Sequence, residues 1–125
     1  MPGARIAITS VPATRLNPAH ESDEPLVTEL RTRFRGQQGI DLLSPDLPEA
    51  IDIIRGSRSA ISAHGGLMHV AAAFGKPVVG LMGNIGAEHW RPYSAGARWL
   101  QAPSKRVSEI EPAQILKTWK LIAGA

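Results

Sequence analysis

Short apolar runs alternate with amphipathic stretches along this chain from end to end, and no other feature restricts its fold as strongly. Ile6 and Ile8, spaced by small residues, predict a strand over Arg5 to Ser10. After a loop from Pro12 to His20, Ser22 and Asp23 are candidate caps for a helix with Pro25 in its first turn. Leu26, Val27, Leu30 and Phe34 recur along it at helical spacing, and Gly36 closes it. Gly39 to Leu43 reads as a second strand. Asp46 and Glu49 then form a capping box for a helix that has Pro48 in its first turn, carries Ile51, Ile53 and Ile54, and stops at Gly56. A third strand, Ser59 to Ala63, leads through His64-Gly65-Gly66 into a helix that runs to Phe74, with Gly75 and Pro77 as its stop signals. Pro77 to Met82 is the most apolar run and reads as a buried strand. A polar, aromatic loop, a short strand at Trp99 and Leu100, and a terminal helix complete the chain. That helix is marked by Ile115, Leu116, Trp119 and Ile122, with Pro112 near its start.

Strands that each lead into a helix imply parallel pairing, because a parallel neighbour is reached only by a crossover. The expected fold class is therefore α/β, a parallel sheet with helices on both faces, and 125 residues suit one domain spanning 1–125. Ligands of such sheets collect at the carboxyl ends of the strands. In this chain that edge holds Ser10, Ser44, the His64-Gly65-Gly66 turn and the loop after Gly83.

Composition narrows the chemistry. The absence of cysteine removes disulfide scaffolds, thiolate zinc sites, iron–sulfur clusters and cysteine nucleophiles. Fourteen Lys and Arg against 11 Asp and Glu leave a net charge of +3, spread along the chain rather than gathered in a block. Arg31, Arg33 and Arg35, at a spacing of two, fan around a helix and read as a solvated surface. With aromatic residues at only 5% and no nucleic-acid-binding motif, a nucleic-acid partner is not expected. The excess charge serves solubility or draws anionic substrates and phospholipid head groups. No apolar run approaches the roughly 20 residues that span a bilayer, so a cytoplasmic protein is expected.

The turn at Ser62-Ala63-His64-Gly65-Gly66-Leu67-Met68-His69 carries the chemistry. Two glycines between a strand end and a helix start let a ligand approach bare backbone, where the free N–H groups of the helix favour an anion. Tight strand-to-helix turns use glycine for geometry alone as well. The segment is neither a Walker loop nor the three-glycine dinucleotide pattern. His64 and His69, five apart, stand about 140° from each other around a helix and do not form a metal pair, so no metal is expected. No serine sits in a nucleophile elbow. The loop of His89, Trp90, Arg91 and Tyr93 is either an ordinary surface loop anchored by Trp90 or a wall of a ligand cleft. His20 reads as solvated, and Met68 and Phe74 as core.

Taken together, GGLMHVAAAFGKPVVGLMG and the later HWRPYS resemble the carboxyl-terminal domain of the family-nine glycosyltransferases, heptosyltransferase-type enzymes that move a heptose from an ADP-sugar onto lipopolysaccharide core. The specific core of the resemblance is Ser59 to Ser94, with a looser likeness over Ile6 to Ala123. It implies one Rossmann-like half of a GT-B architecture that binds the nucleotide-sugar donor, with ADP-heptose among the candidate donors and no further cofactor. By position, Gly65, Gly66, Leu67 and His69 match family residues that bind the donor's diphosphate and sugar. His64 stands where the family pattern has an aspartate, and Gly65 where it has a serine or threonine. An imidazole offers at most one acceptor, so it cannot replace the carboxylate in kind. With Ser10 and Ser44 at the same strand edge, these form the expected donor-binding set.

The resemblance further implies that the acceptor domain and its catalytic base would precede Met1. No catalytic residue is therefore expected in this chain, which should be inactive alone. The saccharide or lipid-linked acceptor would be met through that other domain, at a cytoplasmic or peripheral inner-membrane location. The resemblance also implies that the domain's usual first strand is missing, and the sheet edge this would bare, or the cleft face, would favour a homodimer. A binding or interaction module that keeps the fold without the chemistry is the alternative expectation.

Overall fold

The structure, a computed structural model, describes residues 5–9 and 24–124. The chain divides into two compact units, Met1–Ala50 and Ile51–Ala125. In the first, strand β1 (Ile6–Thr9) pairs in parallel with β2 (Ile40–Leu43), Ile6 beside Ile40 and Thr9 beside Leu43. Arg5 at the head of β1 forks onto both carboxylate oxygens of Asp41 at 3.0 and 2.9 Å. Helix α1 (Glu24–Arg33) links the strands, packs on β2 and buries Val27. Arg31, Arg33 and Arg35 are all exposed, as their spacing implies. The expected caps Ser22 and Asp23, and the loop residue His20, lie outside the described residues.

Helix α2 (Leu47–Gly56) begins as the sequence indicates, with the Asp46 carboxylate accepting the Glu49 main-chain N–H at 2.8 Å. Beyond it, the second unit is built on three parallel strands in the order β3 (Ala60–Ala63), β4 (Val78–Met82) and β5 (Ala97–Gln101). The register sets Ala60 beside Val78 and Val78 beside Ala97. β4 is central, which explains its apolar sequence: adjacent Val78 and Val79 point to opposite faces, and both are fully buried. Helix α3 (Gly66–Ala73) covers one face through Met68 and Ala71, which cluster with Val78, Met82 and Ala87. Helix α5 (Pro112–Ala123) contacts β4 and β5, and its Trp119 indole N–H donates to Ser59 Oγ at 2.9 Å.

Helix α3 stops as expected. Gly75, at φ 71°, donates to Ala72 O, and Lys76 N–H reaches back to Ala71 O, the two bonds of a Schellman motif. Phe74 departs from expectation. It sits at the helix end rather than over the sheet, is 41% exposed, and lies under the Arg55 guanidinium with 5.7 Å to the ring centroid. Two further elements were not foreseen: the one-turn helix α4 (Ala87–Trp90) inside the aromatic loop, and a 3-10 turn over Val107–Glu109. Trp90 does not anchor that loop, being 57% exposed; Ala87 and Pro92 are the residues buried there.

Candidate functional site

The carboxyl ends of β3, β4 and β5 carry one connected set of polar contacts. His64 follows β3 directly, and its main-chain N–H continues the ladder by donating to Leu81 O at 3.0 Å. Its imidazole Nδ1 accepts the main-chain N–H of Gly83, just past β4, also at 3.0 Å. The carbonyl of Gly83 in turn accepts from the Gln101 side-chain amide at 2.7 Å, and the same amide reaches Ile85 O at 3.0 Å. Because Gln101 is the last residue of β5, these bonds tie the β4–α4 loop to both neighbouring strands. There is little room at Gly83 for a larger residue: a Cβ would come within 2.8 Å of His64 Cε1.

Gly65 precedes α3 at φ 153° and ψ −177°, a conformation open in practice only to glycine. It caps the helix without any side-chain bond to the first-turn amides. Those N–H groups start the helix at its positive end, so the turn suits an anion. Gly66 opens the helix, and nothing lies within 4 Å of the place a Cβ would occupy on it. Leu67 and His69 occupy the first turn, both half-buried, while His64, Gly65 and Gly66 are exposed.

Five of the expected donor-site residues, His64, Gly65, Gly66, Leu67 and His69, thus stand in one turn and its helix. Ser44 is exposed just beyond β2, in the first unit. Ser10 lies outside the described residues. Sequence reasoning missed Gly83 and Gln101 as partners of the turn. The signal available for Gln101 was a polar residue closing a strand, and for Gly83 a glycine ending the most apolar one. A hollow of about 420 Å³ lies at the other end of the sheet, lined by Arg91, Pro92, Tyr93 and Ser94 and by the start of β5. No group of three His, Asp or Glu side chains among the described residues is placed to hold a metal ion.

Comparison with known proteins gives the family and the fold. Residues 15–120 match the model of glycosyltransferase family 9 (heptosyltransferase). Among solved structures, the chain is similar to E. coli ADP-heptose lps heptosyltransferase II, with 21% identity and a TM-score of 0.70 over 97% of this chain and 47% of that one. It is also similar to E. coli heptosyltransferase WaaC with ADP, at 15% identity and a TM-score of 0.67, covering 96% of this chain and 45% of that one. WaaC with ADP-2-deoxy-2-fluoro heptose gives 18% identity and a TM-score of 0.60 over 98% and 44% of the two chains. No curated protein sequence matches. The chain spans just under half the length of these structures, and the likeness establishes its fold as Rossmann-like α/β, as in one half of a GT-B enzyme. With 15–120 of its 125 residues inside the family pattern, the chain belongs to glycosyltransferase family 9, the heptosyltransferases.

Proposed function

We propose that this chain is the nucleotide-sugar-binding part of a glycosyltransferase, and that the donor's diphosphate sits against Gly65, Gly66 and the first turn of α3. The observation that carries this reading is the turn itself. A strand end delivers the chain through a glycine-only conformation into a helix whose leading amides have no capping side chain. That WaaC is seen with ADP and with an ADP-heptose analogue supports an adenosine diphosphate sugar as the donor class.

In sugar transfer the bond from the anomeric carbon to the diphosphate breaks, and negative charge grows on the departing phosphate oxygens. The N-terminus of α3 would stabilise that charge without moving, since its dipoles are already oriented. The acceptor and the group that takes its proton belong, in this reading, to a partner domain, and an acceptor in lipopolysaccharide core fits the family. Among the described residues no helix is long and apolar enough to cross a membrane.

Calorimetric titration with ADP, UDP, GDP and their sugars tests the assignment. Tight binding of one diphosphate series, weakened about tenfold or more by Gly66→Val, is the expected result. Gly66 has open space around its Cβ position, so a folded Gly66→Val protein with undiminished affinity refutes the site.

A further inference from the structure

We propose that His64 acts on the bound ligand as a hydrogen-bond donor only, and so selects an anionic oxygen of the diphosphate. The inference rests on the donor-site reading above and adds to it which chemical group this position accepts.

The argument starts from the ring's two nitrogens. A neutral imidazole has one acceptor and one donor. The acceptor is consumed inside the protein: Nδ1 lies 3.0 Å from the Gly83 main-chain nitrogen, whose N–H can only donate. The ring proton therefore sits on Nε2. Nε2 diverges from Nδ1 across the ring, His64 is exposed, and no residue among those described bonds to that nitrogen. What His64 offers to a ligand beside Gly65 is a single N–H. A carboxylate at this position would present acceptors alone and would meet sugar hydroxyls; this ring cannot accept from a hydroxyl without giving up Gly83.

The hydrogen bonding of Gly83 favours this arrangement. Gly83 is buried, and its carbonyl is held by Gln101, so the peptide that donates to His64 is held from the far side as well. The ring lies so close to Gly83 that no Cβ fits between them. Turning the ring over to expose Nδ1 would leave a buried N–H unpaired, which the fold disfavours. A non-bridging phosphate oxygen that approaches Gly65 and Gly66 accepts from this fixed N–H and, unlike a hydroxyl, brings no proton of its own for which the ring has no acceptor left.

Two measurements test this. In the free protein, nitrogen–proton correlation spectra of the histidine side chains should show His64 with a bare Nδ1 and a protonated Nε2; a protonated Nδ1 in the neutral ring overturns the inference whatever the protein binds. Titration with ADP and with adenosine then compares the wild type with His64→Asn and His64→Gln. Asparagine places an acceptor near Nδ1 and nothing at Nε2, whereas glutamine reaches the outer position with an amide N–H. His64→Asn should keep Gly83 protected from hydrogen exchange and bind ADP about tenfold or more weakly, with His64→Gln above it in affinity and adenosine binding unaffected. Equal ADP affinity in wild type and His64→Asn, or an asparagine variant that outperforms glutamine, overturns the donor role and leaves the donor-site reading standing. A wild type that binds no nucleoside diphosphate removes both.

Discussion

The imidazole of His64 and the main chain of Gly83 form one unit across 19 positions of sequence: Nδ1 accepts the Gly83 N–H at 3.0 Å, and the ring occupies the space a Cβ on Gly83 would need. Each residue accounts for the other. The bond closes the gap between the ends of β3 and β4, where the ladder runs out, and it holds the loop that enters α4. It also leaves Nε2 as the ring nitrogen without a partner among the described residues.

Gly83→Ala should therefore act through His64. The new methyl group displaces an exposed ring that can swing into solvent, so overlap itself costs little. The buried Gly83 N–H loses its partner, a cost of about 1–3 kcal/mol. In a His64→Ala background the same substitution should cost much less. A double-mutant cycle by urea unfolding reads the coupling, and strictly additive effects would show that the two residues do not act as one.

Gly65 and Gly66 should respond in opposite ways to alanine. At φ 153° Gly65 holds a backbone that a side chain strains, and Gly65→Ala should lose about 1–3 kcal/mol. Gly66 has an ordinary helical conformation and open surroundings, so Gly66→Ala should stay within about 0.5 kcal/mol of wild type. Thermal unfolding of the two variants checks the contrast, and equal losses would contradict it.

Gly80 marks where α3 comes down on the sheet. A Cβ there would stand 2.8 Å from Met68 Sδ and 3.3 Å from Pro92 Cδ, and Met68 is fully buried with nowhere to retreat. Gly80→Ala should destabilise by about 1–3 kcal/mol through overpacking. Met82→Ala, which empties part of the same cluster, should cost about 2–5 kcal/mol. Combining Gly80→Ala with Met68→Ala should recover some of the first loss; no recovery would place the clash elsewhere.

Trp119 ties the terminal helix to the residue before β3 through its indole N–H and Ser59 Oγ. Trp119→Phe keeps most of the ring and removes the donor, for an expected loss of about 0.5–1.5 kcal/mol. Ser59→Ala should lose a similar amount, and the double variant no more than either alone plus a few tenths. A tryptophan fluorescence melt of each protein, set beside a melt by circular dichroism, measures this.

The alternation of Ile6 and Ile8, the Asp46 cap, the Gly75 stop and the unbroken apolar run at Val78 to Met82 are local signals, and each element they announce is present. Backbone geometry and burial period act over a few residues, so one sequence suffices to read them. The glycine turn before α3 was legible for the same reason, as was the likeness to a glycosyltransferase domain. Other features depended on contacts between distant residues. Phe74 and Met68 share one helix and one apolar character, yet Met68 meets Gly80 while Phe74 meets Arg55 and solvent, because only the docking of α3 on the sheet separates them. The α4 turn rests on Ala87 finding the core. Above all, nothing near His64 in sequence indicates that its acceptor is spent: Gly83 arrives beside it only through the parallel register of β3 and β4, and Gln101 holds Gly83 only through that of β4 and β5. Residue types and local turns are written along the chain, whereas the choice of which nitrogen of His64 is engaged inside the protein is made by hydrogen bonds between strands.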